Sequence, residues 1–251
     1  MNPALALLKP GVGDAGVTAP GGYLDLLGAA GPESTGAVQD LMLTGIVPHI
    51  YERWWRPALG RAFKGVFGPG MKDEHRIARL LLGLSPGDGA LDVACGTGNF
   101  TRDFAKTVGP EGLAVGIDVS VTMLTRAVKD TASAGLADRT AYVRGSAQDL
   151  PFKPQSFDAV CCFAALHLFD DPMRALESMA SVLTPGGRIA LFTTVRGRSA
   201  PLRTFESIAG SRSGTRMFER TEVVRAMERS GFEDVRQRIT GVTQFVGGRL
   251  A

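Results

Sequence analysis

Cysteine is scarce, with three in 251 residues. From Cys95, Cys161 and Cys162 neither a disulfide framework nor a metal-ligand spacing can be assembled, which suits a reducing compartment and gives no reason to expect zinc or another metal. Long apolar runs are lacking too. No stretch would span a bilayer, and the opening Met1-Asn2-Pro3-Ala4 has neither a basic start nor a sustained apolar core before a cleavage site, so a soluble, cytoplasmic chain is expected. Charge of one sign is nearly balanced, 28 Lys and Arg against 25 Asp and Glu. No Lys/Arg run would track a phosphate backbone, which gives no support to a nucleic-acid partner. There is no internal repeat.

What is present is ordinary globular material. Hydrophobic residues make up 44% and charged residues 21%, which excludes a disordered chain and supplies a core. The length fits one α/β domain with an accessory segment, since single cores stop growing near ~250–300 residues. From Met1 to about Ser34 the chain is rich in Gly, Pro and Ala, and one apolar patch, Gly22 to Leu27, is expected to dock irregular structure, with looser chain before Gly21. From Thr35 to Lys64 apolar residues recur at helical spacing, including Tyr51, Trp54 and Trp55, with Pro48 and Pro57 as interruptions, so helices precede the sheet.

Asp73 to Leu82 reads as an amphipathic helix stopped by Gly83. Strands are then expected at Ala90–Ala94, Ala114–Asp118, Thr140–Gly145, Phe157–Phe163 and Arg188–Val195, with helices Asn99–Val108, Ser120–Ala134 and Asp171–Leu183 between them. Such alternation implies βαβ units and a mostly parallel sheet, because a parallel crossover needs a helix-sized connection. A helix Thr221–Ser230 and two adjacent strands, Asp234–Ile239 and Gln244–Gly247, close the chain and suggest an antiparallel edge. Cys161 and Cys162 adjoin within a strand and should face opposite sides as small buried residues.

The stretch that carries chemistry is Leu91-Asp92-Val93-Ala94-Cys95-Gly96-Thr97-Gly98-Asn99-Phe100. An apolar strand ends in an acid, a turn of small residues follows and a helix starts at once, which makes a ligand crevice at the carboxyl end of the strand. A dinucleotide fingerprint needs a third small residue where this chain has Thr101, which counts against a nicotinamide cofactor.

Here the sequence resembles the class I S-adenosylmethionine-dependent methyltransferases, in the subgroup related to ubiquinone/menaquinone methyltransferases. Leu91-Asp92-Val93-Ala94-Cys95-Gly96-Thr97-Gly98 is similar to their first motif, with Ala94 in place of a frequent glycine. Gly116-Ile117-Asp118-Val119-Ser120 with Met123, Gly145-Ser146-Ala147-Gln148-Asp149-Leu150-Pro151-Phe152, Ser156 to Val160 with Ala165-Leu166-His167, and Leu183 to Arg188 resemble the later motifs in order. The resemblance covers about Leu82 to Thr194.

It implies S-adenosylmethionine as cofactor and a Rossmann-like, seven-stranded, mostly parallel sheet of order 3-2-1-4-5-7-6, counted from the Ala90 strand and flanked by helices. It also implies an N-terminal extension and helical lid over residues 1–70, and a methyltransferase domain over 71–251 with a cap near 197–220. By the same resemblance the Ala94, Cys95, Gly96 and Gly98 backbone holds the methionine end. Asp92, directly or through water, and a carbonyl at Phe163 or Ala164 act on its ammonium, Val119 and Met123 pack on the adenine, and Ser146, Ala147 and Gln148 read its edge. Asp118 accepts both ribose hydroxyls, a role that can coexist with ordering the helix start at Ser120.

Methyl transfer from a sulfonium is an in-line displacement, so alignment and exclusion of water matter more than a nucleophile. His167 is the candidate base for a hydroxyl or acidic carbon acceptor, or else a wall of the pocket. Tyr51, Trp54, Trp55 and Phe218 are candidates for an apolar acceptor pocket. The expected reaction is methylation of a small organic acceptor at O, N or C. A protein that binds the cofactor without turnover is the alternative from another class. RNA methylation is a minor reading: Gly22 to Leu27 resembles a segment of ribosomal-RNA guanine methyltransferases, but no zinc-binding Cys precedes it.

Overall fold

The computed structural model describes residues 2–12, 17–28, 70–197 and 215–251. Tyr51, Trp54 and Trp55, the expected lid helices and most of the expected cap lie outside the described residues.

Helix α1 (Met71–Leu82) begins where the Asp73 carboxylate accepts the Gly70 N–H at 3.1 Å, and it ends at Gly83 in the left-handed conformation. Strand β3 (Gly89–Val93), α2 (Asn99–Val108), β4 (Leu113–Asp118), α3 (Val121–Ser133), β5 (Thr140–Arg144), β6 (Phe157–Phe163), α4 (Pro172–Ser181) and β7 (Leu183–Thr194) follow in alternation. Helix α5 (Glu222–Arg229) then leads to β8 (Phe232–Thr240) and β9 (Thr243–Leu250). Ser120 starts α3 by accepting the Met123 N–H, and Asp171 starts α4 by accepting the Arg174 N–H ahead of Pro172.

The sheet runs β1-β2-β5-β4-β3-β6-β7-β9-β8, where β1 is Val17–Thr18 and β2 is Leu24–Asp25. Counted from β3, its seven long strands stand in the expected order 3-2-1-4-5-7-6. Strands β3 to β7 are parallel, and β9 and β8 form the antiparallel edge. Strand β7 starts earlier than the sequence suggests, because Leu183 already pairs with Phe157 before a register shift leads to Arg188 opposite Ala159.

The N-terminal segment is tighter than the sequence suggests. Asn2 caps a 3-10 turn at Pro3–Leu7, Leu8 bridges Phe152, and Ala4 and Leu8 are buried. Strand β2 pairs parallel with β5, and β1 lies antiparallel on its far side. The patch Gly22 to Leu27 therefore docks by completing the sheet.

Central strands buried on both faces need apolar residues on both, which is why they read as continuous runs. Cys161 and Cys162 do face opposite sides: Cys162 joins the larger core cluster with Leu91, Phe152, Leu176 and Met227, and Cys161 joins the second with Phe100, Phe104, Phe163 and Phe245. Side chains of this size contribute roughly 1.5–3 kcal/mol each when fully buried. Among the described residues no helix is long and apolar enough to cross a membrane.

Candidate cofactor and active site

The strand order reverses at β3, which has β4 on one side and β6 on the other. In open α/β sheets that switch point leaves a crevice beyond the strand ends. The loop from Ala94 to Gly98 lies there and is wound tightly, with Ala94, Gly96 and Gly98 at φ of 56°, 54° and 74°. An L-residue with a Cβ pays ~1–2 kcal/mol in this region, so Ala94 carries strain that the more usual glycine would avoid.

The two glycines have different reasons to be there. A Cβ on Gly98 would overlap the Tyr142 hydroxyl and press on Ala127 at 3.1 Å, whereas a Cβ on Gly96 meets nothing within 4 Å among the described residues. Gly98 is needed for packing, and Gly96 faces open space. The first turn of α2 starts from Gly98, which has no side chain to cap it, so the positive end of the helix dipole lies at this loop.

Asp92 is buried, and the Thr101 hydroxyl donates to it at 2.7 Å. Thr101, which breaks the dinucleotide pattern, thus steadies the acid of the first motif, a function that only the folded structure shows. The Cys95 N–H donates to the Ile117 carbonyl at 3.1 Å. Burial pushes the Cys95 thiol up, and Asp118 and Asp92 push it further, so it is no thiolate nucleophile.

Asp118, the last residue of β4, receives the Gly96 N–H on one oxygen and the Ser120 N–H on the other, each at 2.9 Å. Burial raises its pKa, against the opposing effect of these hydrogen bonds and one from Val119. Each oxygen retains further lone-pair capacity for a hydroxyl donor. Val119 is half-buried and Met123 is buried beside the turn.

Ser146 accepts the Gln148 N–H at 3.2 Å, and the Gln148 side-chain oxygen accepts the Asp171 N–H at 3.2 Å. Ala147 packs on the larger core. Gln148 therefore ties the loop after β5 to the start of α4.

At the end of β6 the Phe163 ring meets Phe100 edge-on at 4.9 Å. The next residue, Ala164, has φ 60° and donates its N–H to the Phe192 carbonyl. Both central strands at the switch point thus end in a strained alanine. His167 sits on a 3-10 turn, half-buried, with Nδ1 3.3 Å from the Thr193 hydroxyl. Burial lowers its pKa to about 4, so the ring is neutral near pH 7. Its carbonyl accepts the Arg216 N–H at 3.0 Å, which anchors the last residues of the expected cap. Phe218 is fully buried in the larger core cluster, with the Arg216 guanidinium 5.3 Å above its ring. Among the described residues no cluster of His, Cys, Asp and Glu is suited to a metal ion.

The structure thus gathers Asp92, Ala94, Cys95, Gly96, Gly98 and Asp118 around one crevice, with Val119 and Met123 at the turn that follows Asp118. Thr101, Thr193 and the pair Asp25 and Arg144 were not singled out as site residues from sequence. A charged residue closing the otherwise apolar β5 was the one available signal for Arg144.

Residues 90–187 match a family model described as a methyltransferase domain. The chain is 41% identical over 126 residues to a demethylmenaquinone methyltransferase of Staphylococcus aureus, covering 49% of this chain and 51% of that protein. It thus spans about half the length of the curated relatives it matches. Among solved structures, a Haemonchus contortus phosphoethanolamine N-methyltransferase in complex with S-adenosyl-L-methionine matches at TM-score 0.61 and 16% identity, covering 81% of this chain and 59% of that one. The cyclase SpnF matches at TM-score 0.65 and 16% identity, covering 88% and 98%. At such identities the structures speak for the fold alone. Domain match, ordered motifs and strand order agree: residues 90–187 of this chain are similar to a methyltransferase domain.

Proposed function

We propose that the protein transfers the methyl group of S-adenosylmethionine to a small, partly apolar organic acceptor at O, N or C. The observation that carries this reading is the cradle at Gly96, where a Cβ would stand in open space while the backbone N–H is held by the Asp118 carboxylate. When bound, the cofactor supplies an electrophilic methyl group on a sulfonium. The chain's part is to hold it and to keep water away.

Asp118 accepts the ribose hydroxyls, and Val119 and Met123 cover the adenine faces. Ser146 and Ala147 line its edge, where Gln148 mainly holds the loop in place. The Ala94–Gly98 backbone and the α2 N-terminus take the carboxylate end. Asp92, steadied by Thr101, and the strand-end carbonyl at Phe163 take the ammonium. His167, neutral and held at Nδ1 by Thr193, accepts the proton of a hydroxyl or acidic-carbon acceptor.

A quinone acceptor, the class in the staphylococcal relatives' name, is the first to try. The experiment is incubation of the protein and labelled S-adenosylmethionine with quinones and with a metabolite extract, followed by mass detection of what gained a methyl. A methylated product supports the reading. Tight cofactor binding with no product in any fraction would replace it with that of a binding protein.

A further inference from the structure

We infer that the ion pair of half-buried Asp25 with buried Arg144 is a positioning device for the nucleoside half of the cofactor, holding the Arg144 guanidinium on the Val119 carbonyl and off the Asp118 carboxylate. The inference rests on the proposed role of Asp118 toward the ribose.

The sheet register places the three charges in one row. Asp25 on β2 stands opposite Arg144 on β5, and Arg144 stands opposite Asp118 on β4. Register partners on neighbouring strands, ~4.8 Å apart, project their side chains to the same face. Arg144 is thus flanked by two carboxylates at the carboxyl end of the sheet.

Arg144 is only 6% exposed, and a guanidinium so deep must have its charge matched. Its NH1 donates to both Asp25 oxygens, at 3.0 and 3.3 Å, and to the Gly28 carbonyl at 2.6 Å. Its Nε donates to the Val119 carbonyl at 3.1 Å.

Asp25 is itself pinned. It accepts the N–H groups of Leu27 and Gly28 at 3.0 and 2.9 Å. Burial would raise its pKa, but these bonds and Arg144 together hold it below the usual carboxylate range, so it is charged at neutral pH. Tyr23, two residues before Asp25, anchors the segment by burying its ring in a cluster with Cys95, Leu124, Ala127 and Tyr142.

Two consequences follow for Asp118. The carbonyl of the next residue, Val119, is fixed by Arg144, so the turn that presents the carboxylate is fixed as well. Asp118 also spends its bonds on the Gly96 and Ser120 N–H groups, leaving it open to neutral hydroxyls. Were Arg144 released from Asp25, its nearest carboxylate in the row would be Asp118. A guanidinium there brings a full positive charge to the carboxylate where a ribose hydroxyl brings only a dipole, and would compete with it for the same lone pairs.

The test is calorimetric titration of wild type, Asp25→Asn and the double variant Asp25→Asn/Arg144→Met. Each is titrated with S-adenosylmethionine and with methylthioadenosine, which keeps the nucleoside and lacks the aminoacyl group. Asp25→Asn is expected to weaken both ligands by the same factor, about tenfold. The double variant, with no freed guanidinium, is expected to recover part of that loss. Wild-type affinity in Asp25→Asn, or a double variant no tighter than the single, overturns the inference. Melting curves establish that each variant is folded. If Asp25→Asn does not fold, Arg144→Lys serves: it keeps the charge but cannot reach Asp25 and Val119 together, and unchanged affinity in it overturns the inference. A wild type that binds neither ligand sinks the cofactor reading itself.

Discussion

Alanine at Gly96 and alanine at Gly98 are the same chemical change two residues apart, and the structure expects them to fail in different ways. Both glycines have positive φ, so each substitution costs ~1–2 kcal/mol of backbone strain, partly offset by the stiffer unfolded chain. For Gly96→Ala that is nearly the whole cost to folding, because nothing lies within 4 Å of the added methyl among the described residues. A net loss of about 1 kcal/mol lowers the melting temperature of a chain this size by roughly 2–4 °C.

Gly98→Ala must also move Tyr142, whose hydroxyl shares a buried 2.8 Å hydrogen bond with Thr131. Overpacking adds ~1–3 kcal/mol and the disturbed bond about 1 more, for a melting-temperature loss of roughly 10 °C. Ligand binding reverses the ranking. The new methyl of Gly96→Ala occupies the cofactor's place, and overpacking of ~1–3 kcal/mol there weakens S-adenosylmethionine about tenfold or more. Scanning fluorimetry and calorimetry read the two quantities. A folded Gly96→Ala that binds within twofold of wild type, or a Gly98→Ala that melts alongside it, would refute the assignment of the two glycines.

Thr101→Val keeps the shape but removes the 2.7 Å donor from buried Asp92. A loss of ~1.5–3 kcal/mol is expected as a lower urea midpoint at unchanged slope, and an unmoved midpoint would contradict the role given to Thr101. Ala94→Gly relieves strain at φ 56° and should raise stability by up to ~1 kcal/mol, so a lower melting temperature would count against strain at that position. His167 has its folded-state pKa lowered to about 4 from an ordinary 6.5, so the unfolded chain binds the proton more readily. Its contribution to stability is therefore complete above pH 6.5 and lost as pH falls toward 4, with a slope of at most ~1.4 kcal/mol per pH unit. His167→Gln should flatten that decline in pH-dependent denaturation, and superimposable profiles would remove the buried, neutral imidazole from the account.

The sheet was legible because its central strands are apolar runs separated by helix-length periodic segments. The fold class follows from that alternation, whereas the strand order came from family resemblance. Strands β1 and β2 were not legible. Two residues carry no alternation, and what makes Leu24–Asp25 a strand is its partner β5, far away in sequence. The cofactor loop was legible from Asp92 to Gly98 because small residues between a strand and a helix have a steric reason to be there. What sequence could not supply were the partners: Thr101 for Asp92, Thr193 for His167, and Asp25 for Arg144, each pair joined only by folding. Phe218 shows another limit of reading from sequence. An aromatic near an expected cap suggests a pocket, yet here the ring fills the core.

The docking of Leu24–Asp25 onto β5 extends the folding unit beyond the matched domain toward the N-terminus. A fragment trimmed to start at Met71 would keep every residue of the matched domain and still strip the Arg144 guanidinium of the carboxylate and the Gly28 carbonyl that hold it. It would also bare the flank of β5 as a template for intermolecular strand pairing. Chimeras that exchange this leading stretch between relatives must therefore carry Asp25 and Arg144 together, as one inherited unit.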